Sequence, residues 1–494
     1  MLPTQWTNSC ELILPYISKQ EEHVVSKNST HTDKEKIQKL NRLRLPTYQT
    51  EGSWDVDGKE PSIWDDFTHT FPNKIKNTSN SDISCDGYKK IDEDVELLKN
   101  LGVNIYKFSI SWSRIVNDGK MNHQGLEHYN KLIDALISHD ISPMVTLFHW
   151  DTPQSIQSIG AWLNPYVATL FVEYARLVFE IFGNRVKYWI TFNDPLTFCL
   201  RSYTDANFPP VGTNSKISIY LCSYVVLKSH AAVYRLYENS FKYSQNGLMS
   251  INLGTPWFVA ETTNEYNVKF AKMLMEFTLG QFAEPIFGNG NYPKIMRDKI
   301  STNSMIEKML NSKLPKFTKD EIETINNSAD FFALNYYTSI TISNNTFSKD
   351  IATKKNLQNL WDNSVKNLIK SDAESLEALL NYIKSKYGNI PIFIVENGYP
   401  DTGIIEDYER THYIQTHLNS VLNAIFRDEI NVIGYNVRSF LDSFEWTDGY
   451  SVKFGLYQVD FENNERKRIP KLSSEAYKEI VRNKRLPSTI TDKP

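Results

Sequence analysis

Residues 186–196 read VKYWITFNDPL. The first half, VKYWI, is β-branched and aromatic, the composition of a strand buried on both faces. The second half turns polar: Asn193 and Asp194 close the run, and Pro195 follows. A carboxylate thus stands where a buried strand stops, and the rest of the chain has to account for it.

Six further runs of the same kind lie at 104–111 (NIYKFSIS), 142–150 (SPMVTLFHW), 247–254 (GLMSINLG), 330–337 (DFFALNYY), 391–398 (PIFIVENG) and 432–440 (VIGYNVRSF). Segments with helical spacing separate them, among them DVELLKNLG (94–102), LEHYNKLIDALISHD (126–140), ATLFVEYARLVFEIFG (168–183), ESLEALLNYIKSKYG (374–388) and THYIQTHLNSVLNAI (411–425). Near-continuous apolar strands alternating with helices imply a parallel α/β sheet. With an eighth strand before residue 50, the expected fold is a closed (β/α)8 TIM barrel. The rival, an open doubly wound sheet, usually shows G-x-G-x-x-G after its first strand, and this chain has no such run. Residues 46–485 are expected to form one barrel domain, with loop insertions near 200–217, 255–320 and 339–373. Residues 1–45, polar and lysine-rich, are expected to be an atypical mobile extension, and 486–494 a C-terminal tail.

A chain of 494 residues, 41% hydrophobic, can bury a large core. A net charge of −4 offers no basic excess, so no nucleic-acid partner is expected. Four cysteines (Cys10, Cys85, Cys199, Cys222) are too few and too scattered for a disulfide framework or a zinc site. One bridge is compatible with them, with Cys199 and Cys222 the favoured pair. No apolar run is long enough for a membrane span. The N-terminus, MLPTQWTNSCELILPYIS, lacks a basic start and is not read as a signal peptide. Sequons at Asn28, Asn77, Asn326 and Asn344 are short enough to arise by chance, so they fix no compartment. Oligomeric state is equally open.

The strand ends carry the chemistry. Ser111, Trp112 and Arg114 follow one strand; His149, Trp150 and Asp151 the next; then Asn193 and Asp194; Asn335, Tyr336 and Tyr337; Glu396 and Asn397; and, after the last, Asp442, Glu445 and Trp446. In a parallel barrel these ends share one face, where active sites of this fold sit. A single carboxylate there is more often a cap or an ion-pair partner. Two on separate strands, with His, Asn, Tyr and several Trp, fit a sugar site: ring faces stack on sugar C–H faces, short polar groups bind hydroxyls, and acid plus nucleophile cleaves a glycosidic bond. The cluster has one histidine, His149, and no H-x-x-x-H spacing, so neither metal nor other cofactor is expected.

On longer segments the chain resembles glycoside hydrolase family 1, the retaining β-glucosidase family with its myrosinase-type members. The segments are YQTEGSWDVDGKEPSIWDDFTH (48–69), YKFSISWSRI (106–115), TLFHWDTPQ (146–154), WITFNDP (189–195), SKLPKFTKDE (312–321), DFFALNYYTS (330–339), IFIVENGYPD (392–401), RTHYIQTHL (410–418) and SFEWTDGYSVKFGLYQVDF (443–461). The resemblance implies retaining hydrolysis of a β-glycoside or another small carbohydrate through a covalent glycosyl-enzyme. It places Glu396 as nucleophile, Asp194 at the acid/base position and Tyr337 against the nucleophile. It assigns sugar binding to Gln49, His149, Asn193, Asn335, Glu445, Trp446 and Phe454. Family members are often secreted, vacuolar or lysosomal.

The chain departs from the family pattern at several of these places. N-E-P becomes N-D-P, and one C–C bond less withdraws the carboxyl by about 1.5 Å. Retaining carboxyl pairs stand about 5–5.5 Å apart, so weakened acid catalysis is expected. Y-R-F-S becomes YKFS, and Lys107 keeps a charge but loses the two-pronged donor. Arg438, in RSFLD, stands where a tryptophan platform is expected. It would either oppose the positive charge growing on the sugar or pair with Glu396 and quench it. The glycine-rich first strand is replaced by KIQKLNRLRLPT (36–47), and GQFAEP (280–285) lacks a tryptophan. The alternatives to a working glycosidase are therefore a catalytically impaired carbohydrate-binding protein and a transglycosidase.

Overall fold

The computed structural model of the chain describes residues 42–211, 215, 217–342 and 372–487. The expected extension as far as residue 41, Cys10, the sequons at Asn28 and Asn344, the part of the third insertion from 343 to 371, and the tail from 488 lie outside the described residues.

The expected barrel is present. Its strands are β1 (Arg42–Leu45), β2 (Ile105–Ser109), β3 (Ser142–Phe148), β4 (Tyr188–Asn193), β5 (Leu248–Gly254), β6 (Phe332–Asn335), β7 (Ile392–Asn397) and β8 (Val432–Val437). Each pairs in parallel with the next, and β8 closes on β1. Seven strands fall within the seven apolar runs. Their outward residues pack on the surrounding helices in one large cluster. Their inward residues form a second, smaller one inside the barrel, with Ile105, Met144, Ile190, Ala333, Phe393 and Val395 among its members. That is the layered interior of a filled barrel, not a pore.

The eighth strand corrects the expected boundary at residue 45. Arg42–Leu45 belongs to the barrel, with Arg42 opposite Ile105 and Arg44 opposite Lys107. Leu43 and Leu45 join the outer cluster, so by the two-residue period Arg42 and Arg44 turn inward. Both arginines are buried. Arg42 lays its guanidinium over the rings of Phe393 (4.2 Å) and Tyr188 (5.7 Å). A closed barrel gives this strand a pairing partner on each side, and aromatic faces and carboxylates inside it accept the two cations.

Among the connections, helix Pro195–Thr204 and the long helix Ser218–Ser240 are joined by a Cys199–Cys222 bridge, with Cα atoms 5.6 Å apart. A loop of this length gives a disulfide worth about 3 kcal/mol in the chain-entropy account. Cys85 is free and buried. No described helix is long and apolar enough to cross a membrane.

Candidate active site

Two irregularities aim the polar residues at the barrel mouth. On β4, Ile190 pairs with Ser250, but Asn193 pairs with Asn252, so three steps on one strand meet two on the other. On β7, Ile394 pairs with Leu334 and Glu396 with Asn335, two steps against one. Each extra residue reverses the alternation beyond it. Phe192 therefore packs outward on Phe171 and Trp162, while Asn193 faces in. Asn397 likewise turns outward, donating to Tyr413 Oη (2.9 Å) and accepting from Tyr435 Oη (2.6 Å), while Glu396 faces in.

Glu396 is 3% exposed and well supplied with donors. Its Oε1 pairs with the Arg44 guanidinium and takes the Lys107 ammonium at 3.2 Å and the Asn252 amide at 3.4 Å. Its Oε2 accepts from Tyr337 Oη at 2.6 Å. The amides form a relay beneath it: Asn252 Nδ2 donates to Asn193 Oδ1 (2.6 Å) and Asn335 Oδ1 (2.8 Å), and Lys107 donates to the same Asn193 oxygen (2.8 Å). Burial, with Arg44 and Arg438 nearby, pushes the Lys107 ammonium well below its usual range. Burial lowers Arg44 to about 9, which leaves it charged at neutral pH. Burial raises the Tyr337 phenol, so it stays a donor.

Asp194 stands beside this relay, not in it. It has a left-handed backbone (φ 44°) directly before helix Pro195–Thr204. Its Oδ1 accepts from Thr197 Oγ1 at 2.9 Å. The carboxyl lies against Gly254, where a Cβ would come within 2.5 Å of Oδ2, so any larger residue there would displace the carboxyl. Burial raises Asp194 to about 6, against the pull of its Thr197 bonds and of Arg44 and Lys107. Two buried carboxyls thus have opposite settings. One is held by cations. The other keeps its proton into mildly acidic solution, which is the division of labour acid and nucleophile need.

The remaining expected residues line the mouth. His149 Nε2 lies 3.3 Å from the Asn193 amide, and its ring stacks with Trp446. Burial and the cations Arg44, Lys107 and Arg438 keep its imidazole neutral. Trp150 stacks with Trp446 (4.8 Å) and donates to the Asn193 carbonyl (2.8 Å). Gln49 donates to the Phe444 carbonyl (2.7 Å), next to Glu445. Arg438 is buried, but it does not pair with Glu396, which corrects the quenching expectation. Its guanidinium sits over Phe454 (3.9 Å to the ring centre), and Nη2 meets Glu445 Oε2 at 2.5 Å. Oε1 of Glu396 is already taken by Arg44 and Lys107.

Two residues of this cluster were not singled out from the sequence. Asn252 is a polar residue inside an apolar run, a signal that was available. Arg44 lies in a stretch too polar to read as a central strand. Arg114, by contrast, sits after β2 and braces the loop after β1: it binds Glu51 (3.0 Å) and the carbonyls of Gly52 and Ser53.

Comparison with known proteins gives the family. The sequence profile described as Glycosyl hydrolase family 1 matches residues 45–486. Myrosinase 1 of Brevicoryne brassicae is 41% identical over 446 residues, covering 88% of this chain and 96% of that one. Lactase/phlorizin hydrolase of Homo sapiens is 40% identical over 460 residues, 90% of this chain but 24% of the much longer relative. Among solved structures, aphid myrosinase superimposes with a TM-score of 0.84 at 38% identity, covering 90% of this chain and 98% of that one.

Proposed function

The chain belongs to glycosyl hydrolase family 1, and from that membership we propose that it hydrolyses β-glycosides with retention, through a covalent glycosyl-enzyme on Glu396 and with Asp194 as acid/base. The observation that carries this reading is the setting of Glu396. It lies at the end of β7, its Oε1 is taken up by Arg44, Lys107 and the Asn252 amide, and its Oε2 holds one tyrosine bond and has a lone pair to spare. Attack by Oε2 on the anomeric carbon expels the aglycone, which takes its proton from Asp194. The same carboxylate then draws a proton from the water that releases the sugar. Asn193, His149, Gln49, Glu445 and Trp446 would hold the sugar.

The shorter reach of Asp194 supports weak proton donation, so substrates with good leaving groups are favoured. Aryl β-glucosides, and thioglucosides of the kind the name myrosinase implies, belong to this class. The test compares an activated aryl β-glucoside with an alkyl one and follows product configuration by proton NMR. Retained configuration with turnover confined to the activated substrate is expected; equal rates on both would remove the weak acid.

One observation favours a second reading, sugar binding with little turnover. Arg438 occupies Glu445, an acceptor that sugar hydroxyls would otherwise use. Saturable binding of glucosides with no burst of released phenol would support it.

A further inference from the structure

Glu396 does not share its donors evenly. One oxygen takes both cations and the distant amide; the other takes a single neutral hydroxyl. Arg44 and Lys107 are register partners on neighbouring strands, both inward and both buried. Two cations side by side in a barrel interior repel, and each loses its hydration. They are compatible there because one carboxylate oxygen lies between them. The wall does not need Arg44 for its packing, since the strand's outward contacts come from Leu43 and Leu45.

We infer that Arg44 is a positioning residue for Glu396: with Lys107 it fixes Oε1 and keeps the carboxylate ionised, which leaves Oε2 as the attacking atom. The inference rests on the reading of Glu396 as nucleophile. It also accounts in part for a first strand that looks wrong as a barrel strand, because one of the two arginines that spoil its apolar pattern is the one that reaches the carboxylate. The opposite use of the same contact is a latch that blocks the sugar. The distribution of donors argues against a latch, which would cover the free oxygen.

Groups that bear on the ionisation of Glu396 are Arg44 from β1, Lys107 from β2 and Tyr337 after β6. Arg438, Asp194 and Glu445 act on the same cluster from farther away, and His149 after β3 is neutral.

The experiment uses 2,4-dinitrophenyl 2-deoxy-2-fluoro-β-glucoside, which releases its phenol and leaves a slowly hydrolysed glycosyl group on the attacking carboxylate. Mass spectrometry of the wild-type protein should find the label on Glu396. A label elsewhere, or none, overturns the nucleophile reading itself and this inference with it. Given that label, Arg44→Met should slow labelling by about tenfold or more and move the acid limb of the rate upward by about one pH unit, the effect of removing an adjacent positive charge. Arg44→Lys should keep the limb in place and slow labelling less, since charge is kept and the fork lost. Arg42→Met, which removes the strand's other inward arginine, should leave the limb unmoved. Unchanged or faster labelling in both Arg44 variants overturns the inference, the faster result in favour of a latch. An equal limb shift in Arg42→Met overturns it in favour of a general disturbance of β1. If Arg44→Met does not fold, Arg44→Lys decides alone: slower labelling supports the inference, and wild-type or faster labelling overturns it.

Discussion

The mouth of the barrel has two unlike halves. Over β4 to β7, the contacts beneath Glu396 are mostly neutral: Asn193, Asn252 and Asn335 exchange amide bonds, and Tyr337 donates a hydroxyl. Over β8 and β1, the contacts are ionic: Arg438 on Glu445, and Arg44 on Glu396. Neutral amides fix where groups stand without changing the local charge. Guanidiniums fix charge and also fill space. One half of the mouth therefore determines geometry, and the other determines which carboxylates are free to meet a sugar.

The sharpest way to break this division is Glu396→Gln, which removes the carboxylate both halves serve. kcat on an aryl β-glucoside should fall by at least about 10⁴-fold, as for loss of other catalytic nucleophiles. Steady-state release of the phenol measures it, and a loss below tenfold would move the chemistry elsewhere. Next comes Asp194→Asn. On an alkyl β-glucoside the loss should be about 10²–10⁴-fold, the usual yield of general acid catalysis, with far less on the activated aryl substrate. The wild-type rate on the alkyl substrate should also decline above about pH 6, because Asp194 is held up to that value by burial and must be protonated to donate. That decline should vanish in the variant.

Asn252→Ala tests the neutral half. It leaves the buried Asn335 Oδ1 without its donor, at a cost of about 1–3 kcal/mol in stability, while Asn193 Oδ1 keeps the Lys107 ammonium. A lower Tm with kcat/KM down by about tenfold is the expected pair. Equal activity would show that the relay is packing alone. Arg438→Leu tests the ionic half and has the smallest expected effect. Releasing Glu445 should lower KM for a neutral glucoside by about fivefold, near 1 kcal/mol, with kcat little changed. A rise in KM would mean that Arg438 itself holds the sugar.

The same division explains what could be read from the chain in advance. Seven strands were legible because a parallel barrel strand buries both faces and so spells a continuous apolar run. β1 was not, because two of its four residues are arginines whose partners come from other strands. Those partners, Glu396 and the rings of Phe393 and Tyr188, are distant in sequence. Most of the site's members were legible from motifs. Their directions were not: simple alternation from Ile394 would turn Glu396 to the helices and Asn397 into the mouth. The partner of Arg438 was missed for a similar reason, since the ring of Phe454 under its guanidinium lies on another loop.

Those two bulges also have a bearing on how this surface can change. Below each one, the chain obeys the phase of the wall; above it, the phase is shifted by one. Wall and mouth are thus two texts in different frames, spliced at a single residue. Straightening the ladder at Val395 with every residue kept would leave the wall text intact and put the mouth text out of frame, presenting Asn397 where the carboxylate belongs, whereas deleting Val395 would leave Glu396 in phase. Substitutions beyond the splice, by contrast, leave the lower packing untouched. A scaffold spliced this way can have its mouth rewritten while the barrel beneath it stays the same.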